Sequence, residues 1–273
     1  MNGGATIAQL RKPTLLKLGG SAITIKQKQF TPDNDAITRL AKEIKQSDIR
    51  PLVLVHGGGS FGHPLAKQYR INEGYKDSSQ IIGFSKTHQA MTVLNRLVAD
   101  SLIDNNIPAI VVPPSSCVIT KSGRIEDFEK SPLVRMLELG FMPVLYGDVV
   151  LDWDVGFAIL SGDQLVSSLA MKLNAERVIM GADVDGLYTA DPKMDFSARR
   201  VPHLTPAELK RLRRRARKPM VTDVTGGMLG KIEELIPAVE QGIPVIIVNA
   251  TKPNNIYKAL KGEKVVGTII ERA

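Results

Sequence analysis

The alternation of short apolar segments with longer helical patterns constrains the fold of this chain more than any other feature. Six segments have the composition of buried strands: Thr14–Leu18, Leu52–Val55, Ala109–Val112, Met142–Tyr146, Arg177–Met180 and Val245–Val248. Strands that are apolar on both faces belong to parallel sheets that helices cover on each side. The sequence therefore predicts an α/β protein, a three-layer αβα sandwich around a mainly parallel sheet.

Helical patterns fill the intervals between these strands. The predicted helices cover residues 33–46, 86–104, 131–139, 163–173 and 229–241. Pro32-Asp33 and Thr205-Pro206 are typical helix starts, because they combine a capping side chain with a proline. Two further segments, 115–127 and 148–158, have short alternating runs and polar turns, and we expect hairpins or covering loops there.

The chain contains no tandem repeat, low-complexity tail or flexible linker that would separate domains. We therefore expect residues 1–273 to form a single domain. A division near residue 175 would separate two lobes of one sheet, an N-terminal lobe of about 1–175 and a C-terminal lobe of about 176–273.

The net charge of +8 suits either nucleic acid or a small polyanionic substrate. Much of it lies in one basic cluster formed by Arg211, Arg213, Arg214, Arg215, Arg217 and Lys218. This cluster is either a solvated helix face or loop, or a patch that faces a nucleotide or partner. Because no helix-turn-helix, zinc or aromatic RNA-binding motif accompanies it, we expect no nucleic-acid partner.

Other features favour a cytoplasmic protein without a membrane segment. No run approaches the roughly 20 apolar residues that a membrane-spanning helix needs. The N-terminal MNGGATIAQLRKPT lacks the apolar core of a secretory signal. The single cysteine, Cys117, excludes an intrachain disulfide framework.

Glycine-rich segments follow the first two predicted strands, where backbone amides can bind an anion. In the first segment, KLGGS at residues 17–21, Lys17 adds a positive charge. The second, HGGGSFGH at residues 56–63, has three consecutive glycines, which we attribute to close approach by a ligand. It matches neither a P-loop nor a dinucleotide fingerprint. His56 either holds the loop or contacts substrate, and we expect His63 at the start of a helix, facing the anion.

Three later segments carry further candidate residues. In Ser161-Gly162-Asp163, the aspartate is either a helix N-cap or a carboxylate that keeps several lysines charged and in place. Residues 181–188, GADVDGLY, follow a strand and contain either turn residues or the ribose, base or metal edge of a nucleotide site. The segment DVTGGMLGK at residues 223–231 opens a helix and brings Lys231 to another anion site.

These motifs occur in the order and approximate spacing of the amino-acid-kinase superfamily, and the resemblance covers nearly the whole chain, from Lys17 to Val248. HGGGSFGH together with DVTGGMLGK most resembles the isopentenyl phosphate kinases, whose distinguishing histidine matches His63. Fosfomycin kinase shares much of the pattern, so a kinase for fosfomycin or another small molecule is the alternative.

The resemblance implies an amino-acid-kinase-like fold in which the N-terminal lobe binds the phosphate acceptor and the C-terminal lobe binds ATP. The implied catalytic residues are Lys17, Lys26, His63, Asp163 and Lys231. The implied ATP-binding residues are Lys17, Leu18, Gly19, Gly20, Ser21, Gly59, Asp183, Val184, Asp185, Gly186, Leu187, Tyr188, Gly227 and Lys231. The implied substrate-binding residues are Gly58, His63, Gly147 and Gly162.

The resemblance further implies that isopentenyl phosphate is converted to isopentenyl diphosphate in isoprenoid biosynthesis, with ATP and Mg²⁺, by a homodimer. We assign no residue as a metal ligand, since the sequence shows no zinc-ligand spacing. An isopentenyl chain needs an apolar slot beside His63. Residues 81–98 contain apolar side chains that could line this slot. Their helical spacing is equally typical of a helix that packs into the hydrophobic core.

Overall fold

The computed structural model describes residues 11–190, 195–216 and 228–272. Its strands are β1 (Thr14–Leu18), β2 (Leu52–His56), β3 (Ala109–Val111), β4 (Val118–Lys121), β5 (Arg124–Phe128), β6 (Met142–Tyr146), β7 (Asp148–Asp152), β8 (Gly156–Leu160), β9 (Arg177–Ala182), β10 (His203–Leu204), β11 (Val245–Asn249) and β12 (Gly267–Ile270). Its α-helices are α1 (Asn34–Ser47), α2 (Gly59–Gln68), α3 (Ser79–Asp104), α4 (Ser131–Glu138), α5 (Gly162–Lys172), α6 (Pro206–Ala216), α7 (Met228–Glu240) and α8 (Asn255–Lys261).

An eight-stranded sheet in the order β10-β12-β11-β9-β1-β2-β6-β3 forms the middle layer. Its neighbouring strands are parallel except β11 and β12, which are antiparallel. The six predicted strands all lie in this sheet, so the prediction of a mainly parallel sheet is confirmed. A second sheet, β5-β4-β7-β8, consists of two hairpins joined by a parallel β4–β7 pair, in agreement with the hairpins expected from the sequence.

Helices cover both faces of the main sheet because successive strand side chains point to opposite sides. Leu15 and Val53 pack with residues of α4, α5 and α7 in one core. Leu16 and Leu54 pack with residues of α1, α3 and α8 in another. The two cores give the three layers that the sequence predicted.

The helix starts differ from the sequence prediction where tertiary contacts set them. At α1, the side chain of Asp33 accepts a hydrogen bond from Ala36 N at 2.9 Å, as its predicted capping role requires. The helix α3 begins at Ser79, well before the predicted residue 86. The buried amide of Gln80 fixes this first turn, since its Oε1 accepts from Lys76 N at 2.6 Å and its Nε2 donates to Tyr69 O at 3.2 Å.

The helix α6 begins with the expected threonine. Glu208 N donates to Thr205 Oγ1 at 3.3 Å, and Thr205 N donates to a carboxylate oxygen of Glu208 at 2.8 Å, which together form a capping box. In the basic cluster, Arg211 is exposed. The other side chains of the cluster lie outside the described residues, so both interpretations of it stay open.

No helix in the described part of the chain combines the length and apolar character that crossing a membrane requires.

Candidate active site

The glycine segments meet at one edge of the sheet, because β1, β2 and β6 are adjacent and parallel and therefore end on the same side. A cavity of about 420 Å³ lies at this edge. The sequence-predicted residues that line it are Lys17, Gly20, Ser21, Lys26, Gly58, Gly59, His63, Gly147, Gly162, Asp163 and Lys231. The structure thus brings all five expected catalytic residues and all four expected acceptor residues to one cavity.

Two of the glycines allow the loops after β1 and β2 to pack backbone against backbone. A Cβ atom on Gly20 would lie 2.1 Å from Gly59 N, and Gly59 has a φ of +48°. Thr24 links the same loops, since its hydroxyl donates to Gly20 O at 2.8 Å and accepts from Ser60 N at 3.1 Å. The glycines are therefore required by loop packing as well as by any approach of a ligand.

Lys17 and Asp163 form a nearly buried ion pair at the centre of the cavity. The Lys17 ammonium lies 2.8 Å from a carboxylate oxygen of Asp163, and the side chains are 6% and 13% exposed. Burial lowers the pKa of Lys17, the Asp163 carboxylate acts to raise it, and the charge of Lys231 lowers it further. Asp163 therefore favours the charged form of Lys17, against the effect of burial.

The carboxylate is free for this pairing because another residue caps the helix. Ser161 is the N-cap of α5, and its Oγ accepts a hydrogen bond from Gln164 N at 3.0 Å. Asp163 lies in the first turn. The interpretation of Asp163 as the N-cap is thus wrong, since Ser161 accepts the hydrogen bond from the free backbone amide at the start of the helix.

His63 lies in the second turn of α2 rather than at a helix start, because this helix already begins at Gly59 and continues through Pro64. Its imidazole borders the cavity. Loss of solvent, and then the charges of Lys231 and Lys17, lower its pKa from the ordinary value. Lys26, which is exposed, lines the same cavity from the loop after β1.

Apolar side chains also line the cavity. Its lining includes Ala66, Met91, Val149 and Ile159. Of the apolar side chains expected from residues 81–98, Met91 faces the cavity, whereas Leu94 is buried in the core. Ile81, Ile82 and Val93 are exposed on the surface of α3. The apolar wall therefore comes from α2, β7 and β8 as well as from α3.

A buried acidic residue in this wall was missed by the sequence analysis. Asp148 is wholly buried beside Gly147, and its carboxylate lies 2.9 Å from Nδ1 of His88. Burial raises the pKa of Asp148, and the hydrogen bond with Asp148 raises the pKa of His88. An acidic residue next to a predicted substrate-binding glycine was the available signal.

The expected nucleotide segment, residues 183–188, follows β9 on the other side of β1. Burial acts to raise the pKa of Asp185, but hydrogen bonds from Lys252 at 2.7 Å and Asn249 at 3.0 Å lower it overall. The side chains of Leu18 and Leu187 are buried in the cores, so only their main chains can face a nucleotide. A small second pocket is lined by Gly19, Ser21 and Lys231 together with residues at the end of β9. Gly227 lies outside the described residues.

Comparison with known proteins agrees with this geometry. The model of the amino acid kinase family matches residues 12–249. The chain belongs to the amino acid kinase family. An isopentenyl phosphate kinase of this family, from Methanothermobacter thermautotrophicus, is 42% identical over 264 residues, which cover 94% of this chain and 98% of that protein.

Solved structures of amino acid kinase family members match as well. An X-ray structure of an isopentenyl phosphate kinase has a TM-score of 0.84 and 39% identity, covering 94% of this chain and 100% of that one. A substrate complex of an isopentenyl phosphate kinase has a TM-score of 0.74 and 30% identity, with the same coverage. The resemblance inferred from the motifs is confirmed, and within the family the chain groups with the isopentenyl phosphate kinases.

Proposed function

We propose that this protein transfers the γ-phosphoryl group of ATP to isopentenyl phosphate, giving isopentenyl diphosphate and ADP. The observation that carries the proposal is the lining of the cavity, which combines lysines and a histidine with apolar side chains. An acceptor with a phosphate at one end and a short hydrocarbon chain at the other fits this arrangement.

The cationic side chains of the cavity support phosphoryl transfer. An oxygen of the acceptor phosphate attacks the γ-phosphorus of ATP, the bond from that phosphorus to the bridging oxygen breaks, and ADP leaves with the electron pair. A phosphate monoester has a second pKa of about 6, so much of the acceptor is already deprotonated and needs no general base. Catalysis then consists of holding two anions in line and neutralising the transferred group.

We assign that work to the side chains that converge on the cavity. Lys17, Lys26 and Lys231 supply positive charge to the transferring group, and Asp163 holds Lys17 charged and in place. His63 donates a hydrogen bond to the acceptor phosphate. An anion beside its imidazole opposes the neighbouring lysines, which lower its pKa in the free protein.

We propose that Mg²⁺ enters this site bound to ATP. The described residues contain no group of three or more His, Cys, Asp or Glu side chains placed to hold a metal. Mg²⁺ commonly binds through substrate phosphates and few protein ligands, and it would supply further charge neutralisation there.

The apolar part of the lining favours isopentenyl phosphate over fosfomycin as the acceptor. Ile159 is 40% exposed, so a five-carbon chain can cover it, whereas a compact polar acceptor would leave it in contact with water. A coupled ADP-release assay with isopentenyl phosphate, dimethylallyl phosphate, fosfomycin, acetylglutamate and UMP tests this. Faster turnover with fosfomycin than with isopentenyl phosphate would refute the proposed acceptor.

His63 gives a sharper test. We expect His63→Ala to lower kcat/KM for isopentenyl phosphate by about tenfold to 150-fold, the scale of a hydrogen bond to a charged group. Binding of an ATP analogue should change little, because ATP is assigned to the other lobe. His63→Gln keeps a neutral donor and should recover part of the loss. Equal losses in affinity for both substrates, together with a lower Tm, would indicate a structural role instead.

We also propose that the protein acts as a cytoplasmic homodimer in isoprenoid biosynthesis. The exposed apolar side chains of Ile81, Ile82 and Val93 on α3 support self-association. Sedimentation of the pure protein at micromolar concentration tests the dimer, and a monomer there would contradict it.

A further inference from the structure

His56 occupies a central position although it lies behind the cavity. Its side chain is fully buried at the carboxyl end of β2. Its main-chain oxygen accepts a hydrogen bond from Gly147 N at 2.9 Å, and a Cβ on Gly162 would lie 3.2 Å from the same oxygen. The main chain of this one residue therefore contacts two glycines of the acceptor end.

The side chain of His56 fixes a third glycine. Its Nδ1 lies 3.0 Å from the main-chain oxygen of Gly57, which can only accept, so Nδ1 carries a hydrogen and donates. Its ring stacks on Tyr146, with centroids 5.6 Å apart and planes at 21°. Tyr146 immediately precedes Gly147. The two rings thus stack side by side on neighbouring strands, β2 and β6, whose ends carry the expected acceptor glycines.

Asn95, buried on α3, completes the arrangement. Its Nδ2 lies 3.0 Å from Nε2 of His56 and donates to the ring lone pair. If the amide were reversed, its oxygen would face Nε2 and would need a second ring hydrogen, which would make the imidazole a cation. A buried cation here is unfavourable, because loss of solvent and the charge of Lys17 lower the pKa of His56 to about 4. The ring is therefore neutral, with its hydrogen on Nδ1.

We propose that His56 and Asn95 are positioning residues, and that Asn95 holds the imidazole in the Nδ1–H form that locks the Gly57 carbonyl. A peptide unit is planar, so orienting this carbonyl also orients the amide of Gly58, which faces the cavity. Through the main chain, the same histidine places Gly147. The pair thereby orients the Gly58 amide that meets the acceptor phosphate, and it leaves the positive charge of the site to the lysines.

The variant Asn95→Asp tests this directly, because it keeps the shape and replaces the donor by a carboxylate acceptor. We expect the neutral imidazole of the variant to carry its hydrogen on Nε2 instead, so that Nδ1 no longer donates to the Gly57 carbonyl. The KM for isopentenyl phosphate should then rise by about fivefold to tenfold, the scale of one hydrogen bond, with a smaller change in the Kd of an ATP analogue. Asn105→Asp is the matched control, since it makes the same charge change at the end of α3 and leaves the ring untouched.

Nitrogen-15 NMR of the histidine ring in the unaltered protein needs no variant. It should report the Nδ1–H form of His56 across pH 6–9, and an Nε2–H form or an imidazolium would overturn the proposal. If Asn95→Asp is folded, kinetics equal to those of Asn105→Asp would also overturn it. The KM comparison rests on the proposed function. If the proposed function is wrong, the unaltered protein itself will not turn over isopentenyl phosphate, which distinguishes the two failures.

Discussion

At the scale of single residues, Lys17 shows how this fold keeps a buried ammonium group charged. Its side chain is 6% exposed, so burial favours the neutral amine. The carboxylate of Asp163 opposes this at 2.8 Å. Because the charge of Lys17 is supported by this one carboxylate, the pH range in which the enzyme is active should depend on Asp163 as well.

We therefore expect Asp163→Asn to change the pH profile as well as the rate. Without the carboxylate, the pKa of Lys17 falls further below its ordinary value. The lysine then loses its proton at a lower pH, so kcat should decline as pH rises through that lower pKa, while the parent enzyme stays active to higher pH. The loss of turnover relative to the parent enzyme should therefore grow as pH rises, since each pH unit above the pKa reduces the charged fraction by about tenfold.

Ser161→Ala is the matched control for this variant. It removes the cap of α5 at a cost of about 1 kcal/mol in stability but keeps the Lys17–Asp163 pair. Its pH profile should match that of the parent enzyme. An Asp163→Asn profile that also matches the parent would show that the carboxylate does not control Lys17.

The sequence predicted some of these residues and missed others for a physical reason. Lys17, His63 and Asp163 lie in glycine-containing motifs, where chemistry can be inferred from local spacing. Asn95 and Asp148 act through partners that are distant along the chain, and nothing adjacent to them in sequence indicates those partners. The sequence left two roles open for Asp163, because Asp163 and Ser161 are only two residues apart and either side chain could cap α5.

At the scale of elements, the site depends on the close contact between the loops after β1 and β2. The space that a side chain would need at Gly20 is filled by the backbone of Gly59. The backbone of a loop cannot move aside as a flexible side chain can. The position of Lys17, at the end of β1, is tied to this contact.

Gly20→Ala should therefore damage both stability and activity. The new methyl group would lie 2.1 Å from Gly59 N, so the loops must separate. We expect a loss of about 1–3 kcal/mol in the free energy of unfolding, typical of overpacking, and a larger proportional loss of kcat. Thermal unfolding and steady-state kinetics measure the two effects.

Gly230→Ala provides the comparison, because this glycine lies in helix α7 with nothing within 4 Å of the new methyl group. That variant should keep or raise its Tm, since alanine is favoured over glycine in a helix by about 1 kcal/mol. If both variants melt at the same temperature, the two loops do not pack as closely as the structure shows.

Elements were predictable where the hydrophobic pattern alone determines them. The strands of the parallel sheet are buried on both faces, and their apolar runs show this directly. The helix α2 was harder, because its first residues are glycine-rich and Pro64 lies inside it. Its helical conformation follows from the packing of Phe61 and Ala66 into the cores, which overrides weak local propensity.

At the scale of the whole molecule, one carboxylate joins helices from the two ends of the described chain. Glu43 on α1 is 3% exposed. Its Oε2 accepts from the backbone amides of Ile256 and Tyr257, both at 3.1 Å, and its Oε1 accepts from Arg39 at 2.6 Å. No local pattern indicates this contact, because its partners are more than 200 residues apart in sequence.

Glu43→Ala should thus lower the stability of the whole fold without altering the chemistry of the cavity. Removing one partner of a buried charged group leaves the other donors unpaired and costs about 3 kcal/mol or more. For a chain of this size, that loss lowers Tm by about 6 °C or more. Because Glu43 packs between α1 and α8, on the face covered by the second core, the KM for isopentenyl phosphate at 25 °C should stay unchanged.

Two further variants separate the loss of this contact from a general effect on α1. Lys42→Ala alters an exposed neighbour on the same helix and should leave Tm within about 1–2 °C, since surface substitutions usually change stability by less than 0.5 kcal/mol. Glu43→Gln keeps one oxygen for the backbone amides and should recover part of the loss. If the Glu43→Ala and Lys42→Ala proteins have the same Tm, this carboxylate does not hold the two ends of the chain together. Apolar packing between α1 and α8 would then be sufficient.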